Sequence, residues 1–259
     1  MAAHPTPYPD INAVLQDLLW RVQAVLGSHF VGLYVYGSLA SGDFDPQRSD
    51  IDFLVVTDGE LHADMLPALA SMHQRLAELH PKWTNRLEGS YIPLQALRRY
   101  DPAQADHPSL RVDGSFDVDH HDHGWVIQMH LIREQVITLA GPDPAALIDP
   151  IQPDDLRRAA LATLREWWAP MLDDPARLQE REYQAYAVLT MCRALYTLQH
   201  GAVVSKPVAA RWAQGLLGPQ WAELIDEALA WPRGPQSDRL PETVTLIRHT
   251  LDLAEQLRS

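Results

Sequence analysis

The sequence predicts an α+β fold, in which a mixed sheet with flanking helices is followed by an all-α helical bundle. Two apolar runs, 30–36 and 51–57, are rich in aromatic and β-branched residues and predict buried strands in the first half. Strand signals end near residue 141, where the stretch GPDPAALIDPIQPDD carries four prolines and predicts a linker. We therefore expect one domain over 1–149 and a second, helical domain over 150–259.

The remaining elements follow from periodicity and from turn residues. Asp10 is expected to cap the first helix, and the region 98–124, rich in Asp, Pro and His, is expected to be irregular. The first half is predicted to contain helices over 11–26, 62–79 and 125–135, and further strands over 82–93 and 136–140. The second half is predicted to contain helices near 154–169, 176–200, 206–217, 219–230 and 240–257.

Composition and charge narrow the class of protein. The chain has 259 residues, of which 46% are hydrophobic, so a sizeable core is expected. Its formal net charge of −13 argues against a nucleic-acid partner, which needs clustered Lys and Arg. The single cysteine, Cys192, permits no intrachain disulfide and is expected to be buried packing. There is no signal-peptide pattern and no apolar run of about 18 residues, so we expect a cytoplasmic monomer without a membrane partner.

The segment 30–57 carries the clearest chemical signal. Its two strands flank a polar loop that opens with Gly37-Ser38 and closes with Asp50-Ile51-Asp52. Side chains alternate across a strand, so Asp50 and Asp52 share one face, about 7 Å apart. Two carboxylates so close together repel each other unless a hard cation lies between them, and Mg²⁺ prefers such oxygen ligands. Gly37 allows close approach of a ligand, and Ser38 offers donors to phosphate oxygens.

A third acidic residue, Glu88, lies in the middle of the next predicted strand. Burying a glutamate on a core strand costs free energy unless its side chain faces a polar site. We therefore expect Glu88 to lie beside Asp50 and Asp52 and to act as a general base. The alternative is an edge-strand glutamate that faces water. The histidine-rich run 117–124 is interpreted as a solvated, pH-sensitive loop, because metal clusters need ligands held at fixed spacing by secondary structure.

Two basic residues in the helical half are candidates to bind phosphate. Lys206 lies at a predicted helix start, with Ser205 as N-cap and Pro207 in the first turn. A lysine opposes the helix dipole there, and a bound phosphate would remove that conflict. Arg193 is a charge within an apolar helix, and the alternative for it is a snorkelling side chain at the rim of the bundle.

The whole chain resembles the aminoglycoside 3''/9-adenylyltransferase family of antibiotic-resistance enzymes, within the nucleotidyltransferase superfamily. The matching motifs are YGSLASG, SDIDFLVV, LEGSYIP, ITLAGPDP, VLTMCRALY and SKPVAARWA, in family order. The resemblance implies a nucleotidyltransferase domain over 1–149 and a helical domain that completes the cleft for ATP and substrate. It implies transfer of AMP from ATP to a hydroxyl of a cationic drug of the streptomycin or spectinomycin type, with two Mg²⁺ ions. The residues that it implies are Ser38, Ser49, Asp50 and Asp52 at the nucleotide and metal site, Glu88 as base, Arg193 and Lys206 on the phosphates, and Trp231 near ATP.

One departure from the family concerns the acceptor. The family places an acidic residue about ten positions before the matched arginine, and this chain has Tyr183 there. Glu182 points nearly the same way as Arg193 on a helix and either supplies the missing charge or is an ordinary surface acid. Two alternatives stay open: nucleotidyl transfer to a different small molecule or to a protein, and a nucleotide-binding module without turnover.

Overall fold

The computed structural model describes residues 4–83, 85–234 and 237–257. Contacts divide the chain into two compact units, Met1–Asp122 with Gln128–Pro150, and His123–Ile127 with Ile151–Ser259. The first contains a mixed sheet with flanking helices and the second is helical, so the predicted fold class is confirmed.

The first unit is built on a six-stranded sheet with the order β5-β4-β3-β2-β1-β6. Strands β2 and β3 run parallel, and every other neighbouring pair is antiparallel. The strands are β1 (Phe30–Tyr36), β2 (Ile51–Thr57), β3 (Leu87–Pro93), β4 (Asp106–Leu110), β5 (Phe116–His120) and β6 (Ile137–Ala140).

One face of this sheet carries the hydrophobic core of the first unit. Alternate residues of β1 and β2, such as Val35 and Phe53, pack there against Leu15 and Leu18 of the first helix and Leu76 of the third. The opposite face is therefore the one that carries Asp52 and Glu88, since neighbouring side chains on a strand point to opposite sides. The helices of this unit are α1 (Pro9–Leu26), α2 (Gly37–Ser41), α3 (Met65–Leu79), α4 (Leu94–Arg98) and α6 (Pro144–Leu147), together with most of α5 (Trp125–Glu134).

The second unit packs its helices around α8, which contacts all four of the others. Cys192 on α8 is fully buried in this core, and burial raises the pKa of its thiol to about 12. The prediction that it serves packing is confirmed. The helices are α7 (Pro153–Thr163), α8 (Arg181–His200), α9 (Lys206–Leu217), α10 (Ala222–Ala230) and α11 (Leu240–Gln256).

Several predicted elements differ from the structure. The region 98–124 is not irregular throughout, because β4 and β5 form an antiparallel hairpin there. Strand β3 begins at Leu87, after a 3₁₀ turn over Pro81–Trp83, while residue 84 lies outside the described residues. Helix α1 begins at Pro9 with Tyr8 as N-cap, so Asp10 is not the cap. The predicted helix over 154–169 ends as α at Thr163 and continues as a π-helix over Leu164–Trp168.

Within the part of the chain that the structure describes, no helix is both long and apolar enough to cross a membrane.

Candidate active site

Three polar side chains form a row across neighbouring strands of the sheet. Tyr36 is the register partner of Asp52 in the antiparallel pair β1–β2, and Asp52 is the partner of Glu88 in the parallel pair β2–β3. Paired residues share a face and lie one strand spacing apart, about 4.8 Å. The sheet therefore places the Asp52 and Glu88 carboxylates side by side, at the end of β1 where Gly37-Ser38 begins.

Gly37 makes room for the Asp52 carboxylate. Its φ is +68°, and a Cβ atom added there would lie 2.0 Å from Asp52 Oδ2, far inside van der Waals contact. A side chain at this position would have to displace the carboxylate, and the positive φ would strain it as well. Glycine is thus required by both the backbone conformation and the neighbouring carboxylate.

The loop between α2 and β2 is fixed at its end by hydrogen bonds. The Ser49 hydroxyl accepts a hydrogen bond from the Asp45 backbone N–H at 3.0 Å, and the Ser49 N–H donates to the Asp45 carbonyl at 2.8 Å. Arg86, just before β3, donates to the carbonyl oxygens of Pro46, at 2.7 Å, and of Ser49. Ser49 therefore orders the turn that delivers Asp50 to the start of β2, and Arg86 holds that turn against the next strand.

Ser38 and Asp50 flank the row from opposite ends of this loop. Both are half-buried. The Ser38 hydroxyl makes no hydrogen bond to another described residue, so this group can bind a ligand oxygen. Strand β2 begins at Ile51, as predicted, so Asp50 lies immediately before the strand and Asp52 within it.

Sequence reasoning missed two residues of this region, Tyr36 and Arg86. Tyr36 is 7% exposed, and burial, together with the charges of Asp52 and Glu88, holds the pKa of its hydroxyl well above the usual value. It is therefore a neutral hydroxyl beside two carboxylates. Only the strand register reveals its position, because a tyrosine in an apolar strand is ordinarily interpreted as core. Arg86 likewise resembles a surface arginine in the sequence.

A buried polar network continues the row beyond Glu88. Ser90, two residues further along β3 on the same face, has its hydroxyl 3.0 Å from that of Ser109 and 2.9 Å from His121 Nε2. The ring of His107 lies 5.3 Å from that of His121, and burial lowers the pKa of both imidazoles, that of His107 to about 4. Part of the histidine-rich run is thus packed on the sheet, and the prediction of a solvated loop is wrong for His121.

The phosphate-binding candidates lie on consecutive helices of the second unit. Arg193 is half-buried on α8, and its Nε is buried with no hydrogen-bond partner among the described residues. Lys206 is the exposed first residue of α9, after the predicted N-cap Ser205, and its Nζ lies 5.5 Å from the centre of the Tyr186 ring. The Ser205 side chain makes no capping hydrogen bond to the described residues.

Tyr183, at the position where the family has an acid, belongs to an aromatic cluster. Its hydroxyl accepts a hydrogen bond from Trp167 Nε1 at 3.2 Å, and its ring lies 6.0 Å from Trp168 and 5.5 Å from Tyr186. The Tyr183 side chain therefore packs within this aromatic cluster. The neighbouring Glu182 is exposed in the first turn of α8 and makes no ion pair with another described residue.

Trp231 lies directly after α10 and is half-buried against the core of the second unit. The Arg181 guanidinium carbon lies 5.5 Å from the centre of its ring. These contacts account for the packing of this tryptophan, while its role near ATP stays a prediction.

Two families match the two halves of the chain. The first is the nucleotidyltransferase domain, matched over residues 21–101, and the second is the C-terminal domain of aminoglycoside adenylyltransferase, matched over 146–255. The resemblance predicted from the sequence is confirmed. So is the enzyme class that it implies, a nucleotidyltransferase with an adenylyltransferase-type helical half.

Several relatives match over most of the chain. Spectinomycin 9-adenylyltransferase of Staphylococcus aureus is 27% identical over 242 residues, covering 88% of this chain and 87% of that protein. An aminoglycoside (3'')(9) adenylyltransferase of Escherichia coli is 28% identical, covering 89% and 88%. The fold is also similar to that of the spectinomycin adenyltransferase from Enterococcus, solved with ATP and spectinomycin. That match has a TM-score of 0.75 and 18% identity, and covers 93% of this chain and 98% of that one.

Proposed function

We propose that this protein is an adenylyltransferase that moves AMP from ATP to a hydroxyl group of an aminoglycoside-type antibiotic. The observation that carries the proposal is the register pairing of Asp52 with Glu88, beside Gly37 and Ser38. This pairing brings two carboxylates side by side, and we propose that Asp52 binds metal while Glu88 accepts a proton. The relatives named above, whose names specify adenylyl transfer to spectinomycin or aminoglycosides, support the acceptor class.

In this mechanism Glu88 acts as general base. It accepts the proton of the acceptor hydroxyl as the oxygen attacks the α-phosphorus of ATP. A bond forms between that oxygen and the α-phosphorus, the bond from the α-phosphorus to the bridging oxygen breaks, and pyrophosphate leaves. Glu88 is half-buried, and its side chain makes no hydrogen bond or ion pair with another described residue, so its carboxylate is available for this proton.

The residues present fit Mg²⁺. Mg²⁺ in nucleotide enzymes is held by one or two carboxylates, with substrate phosphates and waters completing its shell. Asp50 and Asp52 supply that pair, and the missing side chain of Gly37 leaves the Asp52 carboxylate uncrowded. We propose that these two residues hold two Mg²⁺ ions. When bound, the metal neutralises charge on the transferred phosphoryl group and orients the attacking and leaving oxygens.

We further propose that Ser38 and Ser49, of the domain over 1–149, and Arg193, Lys206 and Trp231, of the domain over 150–259, bind the nucleotide. The half-burial of Arg193 and its unpaired Nε support a role in binding an anion, because a guanidinium is well suited to phosphate. Arg193→Gln should therefore raise the KM for ATP at least about 10-fold, as expected for a lost charge-assisted hydrogen bond. The exposed Arg211→Gln, on α9, serves as the matched control.

The acceptor assay tests the proposed function. Pyrophosphate release is measured with ATP, Mg²⁺ and a panel that contains spectinomycin, streptomycin and other aminoglycosides. Release with at least one of them, abolished in Asp52→Asn, supports the proposal. No release with any member, while calorimetry still shows ATP binding, would reject the drug as acceptor.

A second candidate is the same transfer to another small molecule or to a protein side chain. The observation that favours it is Tyr183, whose hydroxyl and ring contact Trp167 and Trp168 at the position where the family has an acidic residue. Incubation with ATP labelled at the α-phosphate and cell lysate, followed by separation of protein from small solutes, distinguishes the two acceptor classes. Tyr183→Asp should improve KM for cationic drugs if the lost acid matters. Unchanged KM values would instead leave Glu182 as the acidic group.

A further inference from the structure

Trp231 is the first residue after α10, and its backbone has left the helical conformation, with φ −57° and ψ 139°. The helix therefore does not set the direction of its side chain, and contacts with neighbouring residues do. The ring is half-buried against the core of the second unit. The guanidinium carbon of Arg181 lies over it, 5.5 Å from the ring centre, which is within the range of a cation–π contact.

The position of Arg181 is unfavourable for an arginine in three respects. It is the first residue of α8, where a cation opposes the helix dipole. Its side chain is only 10% exposed, which removes the charge from water. Its Nε and Nη1 atoms are buried without a hydrogen bond to any described residue, while Nη2 lies 3.4 Å from Glu227 Oε2. The ion pair with Glu227 and the contact with the Trp231 ring offset part of these costs.

The same network attaches both ends of the segment 231–239 to α8. Glu227, one helical turn before Trp231, also pairs with Arg239, whose Nη1 lies 2.9 Å from Glu227 Oε1. The Arg239 backbone N–H donates to Oε1 of the buried Gln184 at 2.9 Å. Gln184 and Arg181 are three positions apart on α8 and so lie on the same side of that helix. Helix α8 thus holds the start of the segment through Arg181 and its end through Gln184.

We propose that Arg181 is a positioning residue for the nucleotide, because it holds the Trp231 ring in the orientation that stacks on the adenine of ATP. The inference rests on the proposed function, in which Trp231 binds the nucleotide, and adds the base as the part of ATP that the ring contacts. A base presents a π face on which an aromatic side chain can stack. Since the guanidinium is itself buried, it covers the inner part of the ring and leaves the exposed part for a ligand.

Calorimetry of ATP binding in the presence of Mg²⁺ tests the inference. Arg181→Met removes the guanidinium and leaves Glu227 paired with Arg239. It should raise the Kd for ATP about 3- to 30-fold, the range expected for a partly desolvated cation–π contact. Arg177→Met is the matched control, because the exposed Arg177 lies over a different ring, that of Trp167, at 4.8 Å. It should leave the Kd unchanged.

Two double variants separate positioning from a general loss of structure. In the Trp231→Ala background, Arg181→Met should have no further effect on the Kd, because the ring through which it acts is absent. In the Arg193→Gln background it should raise the Kd by the same factor as in the wild-type protein. Arg193 lies twelve positions further along α8, about 18 Å away, so the two effects should be independent.

The outcomes distinguish this inference from the proposed function. ATP binding that Arg181→Met leaves unchanged, or weakens equally in all three backgrounds, overturns the positioning role and leaves adenylyl transfer standing. A wild-type protein that binds no ATP overturns both. If Arg181→Met does not fold, Arg181→Lys, which keeps the charge opposite Glu227 but lacks the planar guanidinium, decides by the same comparison.

Discussion

Asp52 and Glu88 are direct partners in the parallel pairing of β2 and β3. The two residues lie 36 positions apart in the sequence, on strands connected through α3. Because α3 packs on the other face of the sheet, the connection does not interrupt the surface on which the two carboxylates meet. The register of this parallel pair is thus what brings two acidic residues, distant in the sequence, together in one site.

The first prediction concerns the base. Glu88→Gln keeps the shape of the side chain and removes its ability to accept a proton. We expect kcat to fall at least about 100-fold, while the affinity for ATP changes little. Steady-state pyrophosphate release and ATP calorimetry measure the two quantities. Glu78→Gln, an exposed residue of α3, is the control, and a Glu88→Gln enzyme with wild-type kcat would contradict the assignment.

The second prediction uses two glycines that share a positive φ. Gly37→Ala should abolish activity, because its Cβ would lie 2.0 Å from Asp52 Oδ2. Gly42, at the end of α2, has a φ of +82° and nothing within 4 Å of an added Cβ. Gly42→Ala should therefore cost only the backbone strain, about 1 kcal/mol of unfolding free energy, and keep the activity. Equal losses of activity in the two variants would show that crowding of Asp52 is not the cause.

The third prediction concerns the loop that carries Asp50. Arg86→Gln removes the donors to the carbonyl oxygens of Pro46 and Ser49. We expect a loss of about 1–3 kcal/mol in unfolding free energy, and a raised requirement for Mg²⁺ in the activity assay. Arg48→Gln, which disturbs a partly exposed ion pair with Asp45 in the same loop, should cost about 1 kcal/mol or less. A stable Arg86→Gln enzyme with an unchanged Mg²⁺ requirement would refute this role.

The fourth prediction is a loss of stability in acid. Burial lowers the pKa of His73 to about 3 from 6.5. The unfolded chain therefore binds a proton at higher pH than the folded protein does. The contribution of His73 to stability is complete above pH 6.5 and is lost progressively as the pH falls towards 3.

Denaturant unfolding at pH 7 and at pH 5 measures this effect. For each unit by which the pH falls below 6.5, His73 should lower the free energy of unfolding by up to about 1.4 kcal/mol. His73→Phe should flatten the pH dependence, although it removes the hydrogen bond to Tyr91 and lowers stability at pH 7. His4→Phe, at an exposed position, controls for the loss of an imidazole. An unchanged slope in His73→Phe would show that this histidine is not the sensor.

The sequence predicted the strands that carry the site because their apolar runs are bounded by clear turn residues. β1 and β2 occupy the predicted ranges 30–36 and 51–57. The hairpin β4–β5 was not predicted, since Pro108 and the acidic and histidine residues around it are untypical of strands. Pro108 is tolerated because it faces Val118 of β5, beyond the two residues of β4 that pair with β3.

The carboxylates could be recognised from sequence because charge on a core strand is unusual. The positions of Tyr36 and Arg86 could not, because each depends on a partner that only the folded register supplies. Tyr36 gains its neighbours from β2 and β3, and Arg86 gains two carbonyl oxygens from a loop almost 40 residues earlier. Residues that act through long-range pairing leave no local pattern.

The division of the chain into two units has a practical consequence for truncation. The segment His123–Ile127 belongs with the helical unit, although the chain returns to the sheet unit at Gln128. Trp125 is 8% exposed, and Ile127 packs against the helical core. A fragment cut at the proline-rich linker would retain this short segment without the surface that covers it. Expression of a fragment that ends at this linker should thus favour self-association through Ile127, which would lose its contact with the helical core.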